Sequence, residues 1–288
     1  MIPTSFDYAA PTTIDEALQM LAASPDDTKL LAGGQSLIPV MKLRLADAEH
    51  LVDLGRIEQM RGVRMDGDRL VIGAMTEHHE VASHPLVAAH AGVLADAAAS
   101  VADPQVRHRG TIGGALVHAD PAGDYPAPAL ALDAELVITG ATGTRTVPAA
   151  EFFEDYFTTA VGDDEILTEI RLPSYSGWGG RYEKFTRVAQ QWSIVAVAAE
   201  VRVDGGVIAE ARIGLTNMGS TPIRARGVEA ALAGCAIDDG SVAEACASVA
   251  EGTSPPNDIN GDADYRRHLA TVLTRRAVLG AARQEPAH

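Results

Sequence analysis

Two stretches of the chain have residue types and spacing suited to holding a polar ligand. Residues 30–44 read LLAGGQSLIPVMKLR and residues 107–124 read RHRGTIGGALVHADPAGD. Each contains a Gly-Gly pair with a hydroxyl close by: Gly33-Gly34 before Ser36, and Gly113-Gly114 after Thr111. Paired glycines let the backbone approach an oxygen-rich group with no side chain in the way, so that successive amides point at it. A neighbouring Ser or Thr adds a hydroxyl donor. Neither loop carries the Lys of a GxxxxGK[ST] phosphate loop, and no GxGxxG follows a strand, so nucleoside-triphosphate and Rossmann dinucleotide sites are both disfavoured. One such loop alone reads as an ordinary tight turn. Two of them suggest a single diphosphate gripped by one loop on each side, with neutral amides in place of charged side chains.

The elements that must position these loops follow from pattern. Thr13 can cap a helix whose first turn carries Asp15 and Glu16, whose apolar stripe is Ala17, Leu18, Met20 and Leu21, and which Pro25 ends. Residues 29–32 read as a short buried strand running into Gly33-Gly34. Residues 50–54 and 69–74 read as strands, with a hairpin-type turn through Gly67 between them. Residues 76–101 are helix-rich with a break at His84-Pro85. Residues 132–138 form another strand, followed by a turn bracketed by Gly140 and Gly143. A Pro/Gly/Ser cluster over residues 172–180 marks the best domain boundary. Beyond it, residues 181–188, 194–203 and 207–218 read as three strands of an antiparallel sheet, the last two joined through Gly205-Gly206. Helices are expected over residues 227–232, 240–250 and 263–282.

Composition narrows the function. The chain has 288 residues, 47% hydrophobic and 22% charged, as expected of a protein with a real core. No apolar run approaches the ~20 residues of a membrane span; the richest, residues 193–199, stops at Glu200. No signal-peptide pattern opens the sequence, so a cytoplasmic location is expected. A formal net charge of −16 without a basic cluster disfavours nucleic-acid binding. Cys235 and Cys246 are the only cysteines. They cannot bind an iron–sulfur cluster or a four-thiolate zinc, and they read as small buried hydrophobes. Any iron–sulfur centre must therefore sit on another chain.

Other chemistry-bearing residues do not assemble into a reaction centre. His78, His79 and His84, with Glu77 and Glu80, match no HExxH spacing and read as solvated helix surface. Arg107, His108 and Arg109 read as a surface that meets phosphate or a partner. No GxSxG elbow or Cys/His nucleophile pattern appears. The absence of acid–base machinery suits a chain in which a cofactor carries the redox chemistry.

The segments AGGQSLIPVMKLRL and RGTIGGALVHADPAGDYPAPALALDAEL resemble the FAD-binding medium subunits of molybdenum hydroxylases, the xanthine oxidase family, and within it the aerobic carbon monoxide dehydrogenase type. The resemblance covers essentially the whole chain. It implies an α+β protein. Residues 1–173 would form a PCMH-type FAD-binding domain of two α/β subdomains. Residues 178–284 would form a CO dehydrogenase flavoprotein-like domain with a three-stranded antiparallel sheet and helices. In that family the first loop wraps the pyrophosphate and ribityl region, which implicates Leu31, Ala32, Gly33, Gly34, Gln35, Ser36 and Leu37. The second implicates Thr111, Ile112, Gly113, Gly114 and Ala115. Asp124 matches an acidic position on the adenosine half, although Asp is also common in loops. Leu167 matches an apolar contact to the flavin, and Trp192 falls where an aromatic residue stands near the isoalloxazine ring; packing within the fold explains both residue types as well. Gln35 stands where His is common, Ala115 where Asn is common and Thr186 where Lys is common.

By the same resemblance, electrons arrive from a molybdenum cofactor on a large subunit through two [2Fe-2S] clusters on a small subunit. FAD on this chain passes them to an external acceptor such as a quinone. The assembly implied is a dimer of heterotrimers, with peripheral association at the inner face of the membrane where the acceptor is a quinone. CO oxidation leads as the overall reaction, with aldehyde, purine or N-heterocycle hydroxylation next and a non-catalytic assembly subunit as the rival outside enzymology. Valine at both Gly33 and Gly113 is expected to abolish flavin binding in a chain that still folds.

Overall fold

The computed structural model describes residues 2–284. Strands β1 (Asp7–Ala9), β2 (Thr28–Leu31) and β3 (His50–Asp53) form a parallel sheet in the order β1-β3-β2. Helix α1 (Ile14–Ala23) joins the first two, with Ala17, Leu18 and Leu21 buried and the Thr13 hydroxyl accepting from Glu16 N. The parallel arrangement leaves the chain at the end of β2 pointing out of the sheet. There the first glycine loop begins, and α2 (Leu37–Lys42) follows it.

A five-stranded antiparallel sheet comes next, in the order β4-β5-β10-β6-β7. Its members are β4 (Val63–Asp66), β5 (Arg69–Gly73), β6 (Glu135–Gly140), β7 (Gly143–Pro148) and β10 (Glu165–Pro173); a small hairpin of β8 (Phe153–Asp155) and β9 (Thr158–Thr159) precedes the last. The Gly67 turn therefore joins β5 to β4, whereas the segment expected to pair across it, β3, belongs to the parallel sheet. Pattern alone does not name a strand's partner, and the four-residue β4 carries only partly buried apolar residues. Between β5 and β6 run α3 (His78–Ser83), α4 (Pro85–His90), α5 (Gly92–Ser100), α6 (Pro104–Arg107), α7 (Ile112–His118) and α8 (Pro126–Ala131). The break at His84 is present, and a second one falls at Ala91.

The C-terminal sheet is antiparallel in the order β11-β12-β13-β14: β11 (Gly179–Phe185), β12 (Val195–Asp204), β13 (Val207–Thr216) and the two-residue β14 (Ile223–Arg224). The first three are the strands read from sequence, and β14 extends the expected three-stranded sheet by one short edge. The run at the start of β12 is apolar on both faces because both faces are covered. Ala196 and Ala198 face the core shared with the N-terminal half, while Val195, Val197, Ala199 and Val201 face a second core closed by α12 (Ala263–Arg283). Cys246 is buried in that second core, and Cys235 is half-buried against it.

Candidate functional site

A cavity of about 1010 Å³ opens where the end of β2, the start of α7 and strands β10 and β11 converge. Ala32, Gly33, Gly34, Gln35, Ser36 and Leu37 line it from the first loop, and Thr111, Gly113, Gly114 and Ala115 from the second. Asp124, Leu167 and Trp192 also reach it. Leu31 and Ile112 do not line it. Leu31 packs beside Met41 and Leu51, and Ile112 lies in the main core.

The two loops touch each other rather than facing each other across a gap. A Cβ at Gly33 would lie 2.1 Å from Arg109 O and 2.5 Å from Gly110 Cα, and one at Gly113 would lie 2.5 Å from Ala74 Cβ. Both glycines are thus required by backbone packing, independently of any ligand. Gly34 is a glycine for a different reason: its φ is +73°, a left-handed turn that redirects the chain into α2.

The hydrogen bonding of the loops differs. In the second, Ile112 N donates to Thr76 O at 3.0 Å, Gly113 N to Ala74 O at 2.8 Å and Ala115 N to Thr111 O at 3.0 Å. Gly114 N donates to Thr111 Oγ1 at 3.2 Å, so the Thr111 hydroxyl caps α7 and keeps only its own proton to offer the cavity. In the first loop the amides of Gly34, Gln35, Ser36 and Leu37 have no partner among the described residues, and the Ser36 hydroxyl makes no cap bond. Gln35 folds back, its Nε2 donating to Gly33 O at 3.3 Å. A run of unengaged amides is therefore a property of the first loop alone.

Strand β11 supplies a group that the sequence reading passed over. Lys184, whose side chain is 10% exposed, donates to Asp124 Oδ2 at 2.8 Å and to Ser100 O at 3.1 Å, and it also lines the cavity. An ammonium has three protons, so one remains. Asp124 is buried, and its Oδ1 accepts from Tyr182 Oη at 2.9 Å and Ser193 Oγ at 3.2 Å. Burial pushes its carboxyl pKa up, against the pull of Lys184 and the two hydroxyls. Its first role is thus to anchor Lys184 and tie the loop after α7 to β11. Tyr182 and Lys184 are two residues apart on one face of β11; that alternation was the available signal. Thr186 lies beyond the end of β11, and the positive charge it lacks is present two residues earlier.

His78 departs most from expectation. It is not solvated helix surface: it is 4% exposed, and its Nδ1 lies 2.9 Å from Tyr125 Oη. Burial, helped by the nearby Arg107 charge, lowers its pKa to about 4, so the ring is neutral at ordinary pH. His79 stacks on His108 with ring centroids 4.1 Å apart, and His84 Nδ1 accepts from Leu86 N to cap α4. Arg107 donates to Val101 O and Ala102 O and is a structural clamp. Periodicity could not reveal the burial of His78, because its partner comes from a residue 47 positions away. Among the described residues no three His, Cys, Asp or Glu side chains gather as a metal site, and no helix is long and apolar enough to cross a membrane.

Leu167 is buried beside the bulge of β10, where the register shifts between Leu167 and Glu169. Trp192 lies in the loop before β12 rather than at a strand start. It is 50% exposed at the rim of the cavity, and its ring is 6.4 Å from that of His118.

The fold and its matches together place the chain in a class of FAD-binding oxidoreductase subunits. Residues 4–175 match the family described as the FAD binding domain in molybdopterin dehydrogenase, and residues 180–281 match the CO dehydrogenase flavoprotein C-terminal domain. The carbon monoxide dehydrogenase medium chain of Hydrogenophaga pseudoflava is 42% identical over 98% of this chain and 98% of its own. The medium chain from Afipia carboxidovorans is 40% identical over 96% and 97%. Among solved structures, carbon monoxide dehydrogenase from H. pseudoflava superposes with a TM-score of 0.94 at 44% identity, covering all of both chains. Quinoline 2-oxidoreductase from Pseudomonas putida 86 gives 0.93 at 33%, covering 98% of this chain and 99% of that one. The chain belongs to the family of FAD-binding medium subunits of molybdenum hydroxylases and is a flavoprotein subunit of the carbon monoxide dehydrogenase type.

Proposed function

We propose that the cavity between the glycine loops and β11 holds FAD, and that the chain is the electron-exit subunit of a heterotrimeric molybdenum hydroxylase. One observation carries this reading. Four consecutive unengaged amides, the Ser36 hydroxyl and the remaining proton of Lys184 meet in one cavity, and together they form a donor set suited to a diphosphate. The volume lies near the upper end of the roughly 300–1,000 Å³ usual for ligand pockets, as a dinucleotide requires. Bound there, FAD would supply the redox chemistry between the [2Fe-2S] clusters of a small subunit and an external acceptor such as a quinone.

The chain's own residues bind and orient. Gly34, Gln35, Ser36 and Leu37 would donate their amides to the pyrophosphate, and Thr111 would add its hydroxyl proton. Lys184 brings a positive charge held in place by Asp124. From the rim Trp192 would offer its ring to the flavin, and Leu167 would close the cavity wall against water. With no cysteine other than Cys235 and Cys246, the chain cannot supply a four-thiolate cluster site, so the clusters belong to a small partner subunit, with the molybdenum cofactor on a large one. The functional division falls between residues 173 and 178. The assembly is a dimer of heterotrimers in the cytoplasm, at the inner membrane face where a quinone is the acceptor.

CO oxidation is the overall reaction this reading favours, because the carbon monoxide dehydrogenase relatives are 40–42% identical. A second reading is favoured by the 34% identity to the nicotine 6-hydroxylase medium subunit of Paenarthrobacter nicotinovorans: the same electron-transfer role beside a large subunit that hydroxylates an N-heterocycle. The test is a visible spectrum of the purified complex, with the released chromophore identified and CO and heterocycles tried as reductants. One FAD per chain, bleached by CO, is the expected result. An intact complex without flavin refutes the reading.

A further inference from the structure

We propose that His78 is a cofactor-binding residue whose Nε2–H, oriented by Tyr125, donates a hydrogen bond to a phosphate oxygen of the FAD pyrophosphate. The proposal rests on FAD occupying the cavity. Tyr125 is 1% exposed, and among the described residues its phenol proton has no acceptor other than His78 Nδ1, at 2.9 Å. That proton therefore lies in the bond to Nδ1, which fixes His78 as the tautomer bearing hydrogen on Nε2. The reverse assignment would leave the proton of a phenol 1% exposed with no acceptor among the described residues, a costly arrangement. A second proton on the ring is excluded by burial, which holds the imidazole neutral down to a pH of about 4.

The Nε2–H then lacks an acceptor among the described residues. Val106 O, which like His78 Nε2 lies close to Gly110, already accepts from Arg109 N and Gly110 N. His78 lines the cavity, and its Nε2 is not among the sealed, unpartnered side-chain atoms, so the donor reaches open space there. Its position indicates the ligand. A Cβ on Gly110 would lie 2.6 Å from His78 Nε2, and Gly110 is the residue against which Gly33 packs. The imidazole edge thus sits at the seam of the two loops, where Gly33 leads into the run of unengaged amides. A neutral donor fixed at the same seam suits the same anion, and phosphate oxygens are strong acceptors. The main-chain bond from His78 N to Gly110 O at 3.0 Å holds α3 to that seam.

The test uses the complex with its partner subunits, stripped of flavin and titrated separately with FAD and with ADP, which carries the diphosphate without the flavin. His78→Phe should weaken both ligands roughly 10- to 100-fold, the range for losing a hydrogen bond to a charged group. His78→Gln, which restores an N–H, should recover most of the loss. Tyr125→Phe, which leaves the fold's packing intact but frees the tautomer, should weaken both ligands about threefold or more. Unchanged FAD affinity in both the His78→Phe and Tyr125→Phe variants overturns the proposal. Loss for FAD with ADP unaffected also overturns it, since the donor then serves the flavin ring. A native complex that takes up no FAD overturns the occupancy reading instead, which keeps the two failures distinct.

Discussion

Glu200 is a carboxyl buried where the two halves of the chain meet, and it should make their association pH-dependent. It sits on the face of β12 that carries Ala196 and Ala198 and is 1% exposed; its Oε2 accepts from Val93 N at 3.3 Å. Its cross-strand neighbours are Gly180 and Arg212. Burial raises its pKa to about 8; the Val93 amide opposes the shift and the like charge of Asp96 adds to it. In the unfolded chain the group ionises near its ordinary 4.5. Between those two values the folded state binds a proton that the unfolded state has released, so stability is complete at low pH and falls as pH rises through the window. The slope is about tenfold in the folding equilibrium constant per pH unit, which accumulates to a loss on the order of 5 kcal/mol by pH ~8. Glu200→Gln keeps the shape and the acceptor for Val93 N but does not titrate. Urea unfolding at three pH values, followed by the fluorescence of Trp178 and Trp192, would show it. Near pH 5 the two proteins should unfold within about 1 kcal/mol of each other. At pH 8 the Gln variant should be the more stable by several kcal/mol. Asp96 and Asp124, also raised by burial, give the native curve a slope of the same sign, so the difference between the proteins is the informative quantity. A difference that stays constant from pH 5 to pH 8 refutes the reasoning: Glu200 would then ionise normally, and the seam between α5 and β12 would be wet.

Three further outcomes follow from the geometry of the loops and Lys184, and a fourth from the rim. Gly33→Val should fail to fold properly rather than lose flavin selectively, because its side chain meets the Arg109 carbonyl at 2.1 Å, and a thermal melt will show this. Ser36→Ala should instead keep its melting temperature, since that hydroxyl caps nothing, and should bind FAD about 2- to 10-fold more weakly in titration. Lys184→Met leaves the Asp124 charge buried without its ion pair and should cost ~3–5 kcal/mol; adding Asp124→Asn should restore more than half, and a full additive loss would disprove the coupling. Trp192→Ala, at a half-exposed site, should leave stability within about 1 kcal/mol and raise the fluorescence of bound flavin; unchanged emission would remove the ring from the flavin face.

The difference between Gly33 and Ser36 shows where sequence reading stops. The Gly-Gly pairs could be seen at once as places of close backbone approach, but what approaches them could not. Gly33 meets residues 109–110 and Gly113 meets Ala74, contacts between segments far apart in the chain. The expectation that valine at both positions would leave a folded, flavin-free protein is therefore replaced by one of misfolding. The second loop's amides looked as available as the first's, yet Thr76 O, Ala74 O and the Thr111 side chain and carbonyl occupy them. A histidine beside charged residues read as surface, whereas Tyr125 encloses His78. The pairing of β3 was likewise misplaced, because alternation identifies a strand and not its neighbour.

What the sequence determined by itself was local: the Thr13 cap, the turns at Gly67 and Gly205-Gly206, the three long C-terminal strands and the close backbone approach at the two Gly-Gly pairs. Each rests on φ/ψ preferences or periodicity within a few residues, where the information is complete. Only the tertiary structure decided that Lys184 and Trp192, from the C-terminal half, complete a cavity begun at Gly33. It also decided that Asp124 anchors a lysine and that His78 stays neutral at the seam of the loops. The reason is physical: burial and desolvation depend on which distant segments pack together, and those set both the charge a group carries and the direction in which its last proton points.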